Sequence, residues 1–321
     1  MALAGGGLLL LLVLAGTTYQ YLGNRFEARR FPEPGRLVDT GDLKLQLSCT
    51  GAGSPTVILE SGLGDGLTTW RRVQPEIARF ARVCSYDRAG YGASDPGPMP
   101  RTSAHIAAEL HALLVSAGER PPYVLVGHSF GGYNVRVFAG QYPELVAGMV
   151  LVDSTQEDQY HLLPPSWNTL GTAMRKRWRS QATWAPAFIG LGIARWMVRS
   201  QGARDPHLML QSKVLHTRAS ELDEIQVSAE QARAAGILGD KPLIVLTAAN
   251  TADAGLRAAL GDRDLEAYQH TWIDDLQLRL ARLSTRGRRI LVPDSGHDMP
   301  TDRPDAIVTA VREVSIHHER P

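Results

Sequence analysis

Ten residues, Tyr123 to Gly132, restrict the fold of this chain more than any others. Tyr123–Val126 (YVLV) is continuously apolar, the pattern of a strand buried on both faces of a parallel sheet. Gly127-His128-Ser129-Phe130-Gly131 follows at once, and Tyr133 to Tyr142 then has helical character. A chain that passes from buried strand to helix in so few residues must turn sharply. The glycines leave room where a side chain would strike the neighbouring strand or helix, and the serine between them is held in a strained conformation. Such a G-x-S-x-G elbow raises the Ser129 hydroxyl at the C-terminal edge of the sheet, above a helix N-terminus.

The remaining periodicity supplies the sheet. Arg36 to Asp39, a turn at Thr40-Gly41-Asp42 and alternating Leu43, Leu45 and Leu47 predict a hairpin. Short apolar runs predict strands at Thr56–Glu60 (TVILE), Arg82–Tyr86 (RVCSY), Met149–Val152 (MVLV), Leu243–Leu246 (LIVL) and Arg289–Val292 (RILV). Ser103 to Ala117 predicts a helix with Ile106, Leu110, Leu113 and Leu114 on one face, and Asp305 to Val314 closes the chain as another. The alternation specifies an α/β class: a mostly parallel, doubly wound sheet covered on both faces. Between Ser154 and Asp240 the strand rhythm stops, over a stretch too long for one loop. It is helical in character, with breaks expected at Pro164-Pro165, Pro186 and Pro206, and predicts a helical cap over the end of the sheet.

Met1 to Asn24 contains no Asp, Glu, Lys or Arg. Ala2 to Leu22 reaches the length of about 20 apolar residues that a membrane-spanning helix needs. Tyr19 and Tyr21 suit the interface. No basic residue precedes the apolar run, which favours a retained single-pass anchor over a cleaved signal. Arg25, Arg29 and Arg30 would keep the bulk of the chain in the cytoplasm by the positive-inside rule, but the side of the membrane stays open because the cysteines point the other way. The expected divisions are 1–24 anchor, 25–35 linker, 36–154 first part of the core, 155–240 cap and 241–321 second part of the core. Lys plus Arg number 34 against 33 Asp plus Glu, a net charge of +1 that argues against nucleic acid as a partner. That balance hides a cap segment, Gln159 to Arg204, with no acidic residue, several arginines, and Trp167, Trp178, Trp184 and Trp196. Two readings stay open for it: aromatics lining a pocket under solvated arginines, or a surface for an anionic membrane.

Four motifs together resemble the α/β-hydrolase superfamily, in its esterase- and lipase-like, cap-bearing branch. They are the Ser129 elbow, the Ser61-Gly62-Leu63-Gly64 turn after TVILE, Tyr86-Asp87-Arg88-Ala89-Gly90-Tyr91-Gly92-Ala93-Ser94, and Ser295-Gly296-His297; the resemblance runs from Gly35 to Arg312. It implies Ser129 as nucleophile and His297 as its base, in the chain order Ser, acid, His. The acid that holds the imidazole tautomer has two candidates. The usual position falls on Thr251, so Asp153, at the end of the strand before the cap, is the first choice and Asp253 the alternative. Asp153 could also be a helix N-cap or loop anchor. The N–H groups of Leu63 and Phe130 are the implied oxyanion hole, with Ser61 where the family more often has His. Asp87-Arg88 reads as structural, and His128 is expected to point away from the nucleophile.

In the usual strand order Cys49 and Cys84 lie on neighbouring strands. A disulfide, with its oxidising compartment, and two buried thiols are both consistent with that placement. Two cysteines exclude a disulfide-dense scaffold and a four-thiolate zinc site. The implied activity is hydrolysis of a small, apolar carboxylic ester through an acyl-enzyme, with no cofactor and no metal. The same residues would serve an acyltransferase or a cofactor-free perhydrolase or haloperoxidase. A membrane-tethered ligand-binding protein could keep this fold without the chemistry. A haloalkane dehalogenase or epoxide hydrolase is disfavoured, because those groups carry Asp where this chain has Ser129.

Overall fold

The computed structural model describes residues 2–30, 34–200, 211–251 and 254–317. Eight strands form one sheet: β1 (Arg36–Asp39), β2 (Lys44–Thr50), β3 (Thr56–Glu60), β4 (Val83–Tyr86), β5 (Tyr123–His128), β6 (Val146–Val152), β7 (Leu243–Ala248) and β8 (Gly287–Val292). Their order is β1-β2-β4-β3-β5-β6-β7-β8. β2 runs antiparallel to both β1 and β4, and every other pair is parallel. This is the expected α/β class. Side chains alternate along each strand, so β5 sends Leu125 to one face and Val124 and Val126 to the other.

Helices cover both faces. On the Leu125 face lie α2 and α3, after an N-terminal helix α1 (Ala2–Arg30). α2 (Ser103–Ala117) buries Ile106, Leu110, Leu113 and Leu114, the stripe its spacing predicts, and ends at Gly118 with φ +74°. α3 (Gly131–Gln141) starts at the elbow and buries Val135 and Phe138 in the same core. Between β6 and β7 the chain forms α4 (Pro165–Gly190), α5 (Ile193–Ser200), α6 (Ser212–Asp223) and α7 (Ile225–Ala234). After β7 come α8 (Ala254–Leu260) and α9 (Asp262–His270). The closing helix α10 (Pro304–His317) packs Ile307, Val311 and Val314 on the opposite face.

Two local expectations change. Pro165 starts α4, where a missing N–H costs nothing, but Pro186 lies inside the helix and does not end it. Its missing N–H forgoes a single i→i−4 bond, and the helix runs only as far as Gly190. Pro206 lies outside the described residues. The expected linker at 25–35 is helical as far as Arg30, because no proline or glycine interrupts 25–30 and Pro32 is the first strong breaker. Within α1, Gly6–Glu27 is long and apolar enough to cross a membrane.

Cys49 and Cys84 stand directly opposite each other across the β2–β4 pair and are joined by a disulfide. The bond ties residues 35 apart in sequence, a loop for which cross-linking stabilises by about 3–4 kcal/mol. Cys49→Ala/Cys84→Ala is therefore expected to unfold at clearly lower urea than wild type. A wild-type midpoint insensitive to reductant would contradict this.

Candidate active site

Ser129 follows β5 with φ +51°, a left-handed conformation that costs an ordinary residue about 1–2 kcal/mol. The close approach that demands glycine is visible on both sides. A Cβ on Gly127 would lie 2.7 Å from the Gly131 carbonyl oxygen, and one on Gly131 2.6 Å from that of Glu60. The strained turn is held by its surroundings: the Ser129 N–H donates to Val152 O (3.1 Å), and Thr155 N–H donates to Ser129 O (3.1 Å).

His297, in the loop after β8, brings Nε2 to 2.9 Å from Ser129 Oγ and Nδ1 to 2.7 Å from Asp153 Oδ2. An ionised carboxylate only accepts, so Nδ1 carries the proton and Nε2 is left to accept from the serine hydroxyl. Asp153 follows β6 with φ +41° and is 1% exposed. Its other oxygen, Oδ1, accepts from Ala248 N–H (3.1 Å) and from Trp272 Nε1–H (3.0 Å). Asp153 is therefore no helix N-cap. Asp253 lies outside the described residues, and Thr251 is buried in the wall of the adjoining cavity. Trp272 sits on a π-helical turn, Thr271–Leu276, that continues α9; such turns often re-aim a side chain at a site.

Burial pushes the His297 pKa down, but the hydrogen bond and charge of Asp153 outweigh it and raise it above the ordinary 6.5. The side chain is 52% exposed, so water relieves part of the burial penalty and the upward direction stands. His128 behaves oppositely. Burial, and then the neighbouring His297, lower its pKa to about 4. It does not point away from the site. Its Nε2–H donates to the His297 carbonyl oxygen at 2.8 Å and so steadies the loop that carries His297.

The N–H groups of Leu63 and Phe130 have no internal acceptor among the described residues, and both residues line the same cavity as Ser129. Ser61, in the place of the commoner His, accepts from Trp70 Nε1 (3.0 Å) and donates to Gly66 O (2.9 Å), closing the loop that presents Leu63. Beneath that loop lies Arg88, 2% exposed. It donates to the carbonyl oxygens of Ser61 and Gly62 (both 2.8 Å), to Glu60 (2.9 Å), and through two nitrogens to Glu221 of α6 (2.9 and 3.2 Å). The guanidinium therefore joins the cap to the loop that carries Leu63. Asp87, as expected, is structural: its Oδ1 accepts from Leu67 N–H at 2.8 Å.

Two cavities meet at Ser129 and His297. The larger, about 670 Å³, is walled by Trp167, Leu170, Met174, Trp178, Leu222 and Trp272. The smaller, about 340 Å³, is polar, with Asp65, Thr68, Thr69, Asp298 and Thr301. Among the described residues the grouping closest to a metal-ligand set is Cys49, Cys84 and Glu119. Its sulfurs are joined to each other, and Arg82 occupies Glu119 at 2.5 and 2.6 Å, so it offers no thiolate to an ion. A buried carboxylate, an imidazole and a hydroxyl in hydrogen-bonded sequence can pass a proton from the hydroxyl to the ring and leave an activated oxygen facing both cavities.

Comparison with known proteins gives a consistent result. A family model described as alpha/beta hydrolase fold matches residues 55–204. An AB hydrolase superfamily protein of Gibberella zeae is 26% identical over 287 residues, covering 81% of this chain and 86% of the relative. A 2-hydroxy-6-oxo-2,4-heptadienoate hydrolase of Pseudomonas putida is 36% identical over 128 residues, 37% of this chain and 44% of that protein. This second likeness is thus to less than half of the relative's length. A thermophilic esterase from Thermogutta terrifontis shares the fold with a TM-score of 0.61 at 22% identity, over 86% of this chain and 94% of the esterase.

Proposed function

We propose, from the premise that the chain belongs to the α/β-hydrolase superfamily, that it is a serine hydrolase of carboxylic esters with an apolar acyl part. The observation that carries the proposal is the unbroken hydrogen-bonded sequence Ser129–His297–Asp153, at 2.9 and 2.7 Å. Ser129 Oγ attacks the ester carbonyl and its proton passes to His297 Nε2. Asp153 keeps the ring in the required tautomer and stabilises the imidazolium. The negative charge that develops on the carbonyl oxygen is met by the Leu63 and Phe130 N–H groups. His297 then protonates the leaving alcohol, and water attacks the acyl-enzyme by the same route in reverse. The apolar walls of the larger cavity suit the acyl chain.

We further propose that α1 holds the enzyme at a membrane, since Gly6–Glu27 has the length and composition of a span. The Cys49–Cys84 disulfide favours an oxidising compartment. It outweighs the three arginines after the apolar run, because thiols in the cytoplasm are kept reduced.

The direct test is covalent labelling by a fluorophosphonate. Wild type is expected to label and Ser129→Ala not to. A well-folded wild type that does not label would sink the proposal. A second expectation concerns pH. The base works only as neutral imidazole, so kcat/KM should fall with acid through a midpoint above the ordinary histidine value of 6.5, because Asp153 favours the protonated ring. A midpoint below that value would separate Asp153 from the base.

A further inference from the structure

The C-terminal half of α1 is not a free helix. Gly16, Gln20, Gly23, Asn24 and Glu27 recur at helical spacing along one face, and that face lies against the corner between α4 and α5. A Cβ on Gly16 would fall 2.2 Å from the Leu191 carbonyl oxygen, and one on Gly23 2.7 Å from the Arg195 guanidinium. Gly192 turns this corner with φ +71°, and a Cβ there would fall 2.7 Å from Gly16 O. Arg195 of α5 is fully buried and donates to Gln20 Oε1 (3.1 Å), to Glu27 Oε1 (2.5 Å) and to Asn24 Oδ1. Small residues at a helix contact, with polar side chains satisfied across it, are how helices pair inside lipid.

This docking shortens the free part of the anchor. Residues 2–15 alone reach about 21 Å as a helix, against a hydrocarbon core of about 30 Å. Beyond that point Tyr21, Leu22 and Phe26 of α1 are all more than half exposed, and the one charge among them, Arg25, donates to the Tyr21 hydroxyl at 3.1 Å. Whatever covers Leu22 and Phe26 must extend alongside the segment that holds Arg195. The cap corner beside it is also apolar on its outside. Trp184 and Trp196 are 67% and 66% exposed, with Phe188 and Ile193 near them in sequence and also exposed. Exposed apolar surface of this kind, continuous with a membrane helix, marks a membrane contact.

We propose that the corner formed by the end of α4 and by α5 is seated in the lipid bilayer alongside α1, so that the cap is clamped to the membrane rather than hung from it by a tether. Arg195 is the internal tie of the pair, shielded from lipid by Gln20, Asn24 and Glu27. α4 links this seat to the larger cavity: Trp178 lines the cavity and Trp184, six residues on, faces the lipid about 9 Å further along the helix.

The test uses the full chain reconstituted in phosphatidylcholine vesicles whose acyl chains carry bromine near the headgroup, a contact quencher of tryptophan. α1 contains no tryptophan, so a tether alone gives no quenching. Seating of two tryptophans among six should remove about a third of the emission at the interface. Trp184→Phe/Trp196→Phe should sediment with the vesicles as wild type does and lose that quenching. Wild type that sediments but is not quenched overturns the proposal, as does quenching that survives in the double variant. Protein that fails to sediment with vesicles overturns it too. So does a detergent-solubilised dimer that buries Trp184 and Trp196 against a second copy.

Discussion

Asp153→Asn is expected to lower kcat on a soluble ester about 10³–10⁴-fold with the fold intact. The size of the effect follows from what else holds this side chain. Ala248 N–H and Trp272 Nε1–H both donate to Oδ1, so the amide oxygen of an asparagine must stay there. Its NH₂ group is then turned toward His297 Nδ1, where Oδ2 now accepts. Facing a donor, Nδ1 has to become the acceptor, which moves the ring proton to Nε2. The nitrogen 2.9 Å from Ser129 Oγ can then no longer take the serine proton. Steady-state kinetics from pH 7 to 9 measure this. Wild-type turnover in the variant would transfer the acid's role to another residue, Asp253 first.

Arg88→Met is expected to cost about 3–5 kcal/mol of stability, the penalty for removing one partner of a buried ion pair. Glu221 and Glu60 would be left facing each other's charge without the guanidinium between them, and the carbonyls of Ser61 and Gly62 would lose their donors. Burial already raises the Glu60 pKa, with the Arg88 charge the largest influence opposing it, so the variant protonates this carboxylate more readily still. Arg88→Lys should fall between wild type and Arg88→Met, because an ammonium keeps the charge but has three donors and no planar fork. Thermal unfolding gives the stability arm. The kinetic arm separates positioning from mere support. If the Leu63 N–H meets the oxyanion as proposed, a loosened Leu63 loop weakens a contact made in the transition state, and kcat should fall with KM little changed. Equal unfolding temperatures for wild type and Arg88→Met would refute the account.

Much of this molecule is legible along the chain, for reasons that are local. The run YVLV, the glycines around Ser129 and the Leu110–Leu114 stripe each specify structure through neighbours within a few residues. The register across β2 and β4 is not among them, because a disulfide and two thiols at Cys49 and Cys84 are equally consistent with the sequence. The acid was narrowed only to Asp153 or Asp253, because both follow strands that end at the same edge of the sheet. The role of His128 is not legible. Its partner is a backbone carbonyl 169 residues later, and no side-chain pattern announces such an acceptor. Trp272 and Glu221 carried no signal at all. They act on Asp153 and Arg88 from 119 and 133 residues away.

By itself, then, the sequence determined the α/β class, the strained serine turn, the histidine after the last strand and an N-terminal helix apolar enough for lipid. Periodicity, glycine sterics and hydropathy act over one turn of helix or a few residues of strand, and they are readable without knowing what lies opposite. Tertiary structure alone decided that Asp153 takes three donors, that Arg88 joins the cap to the Leu63 loop, and that α1 lies on the cap through Arg195. Each of these rests on charged or polar groups brought together from distant parts of the chain and removed from water. Such contacts become favourable only once packing has closed the intervening loops and lowered the local dielectric.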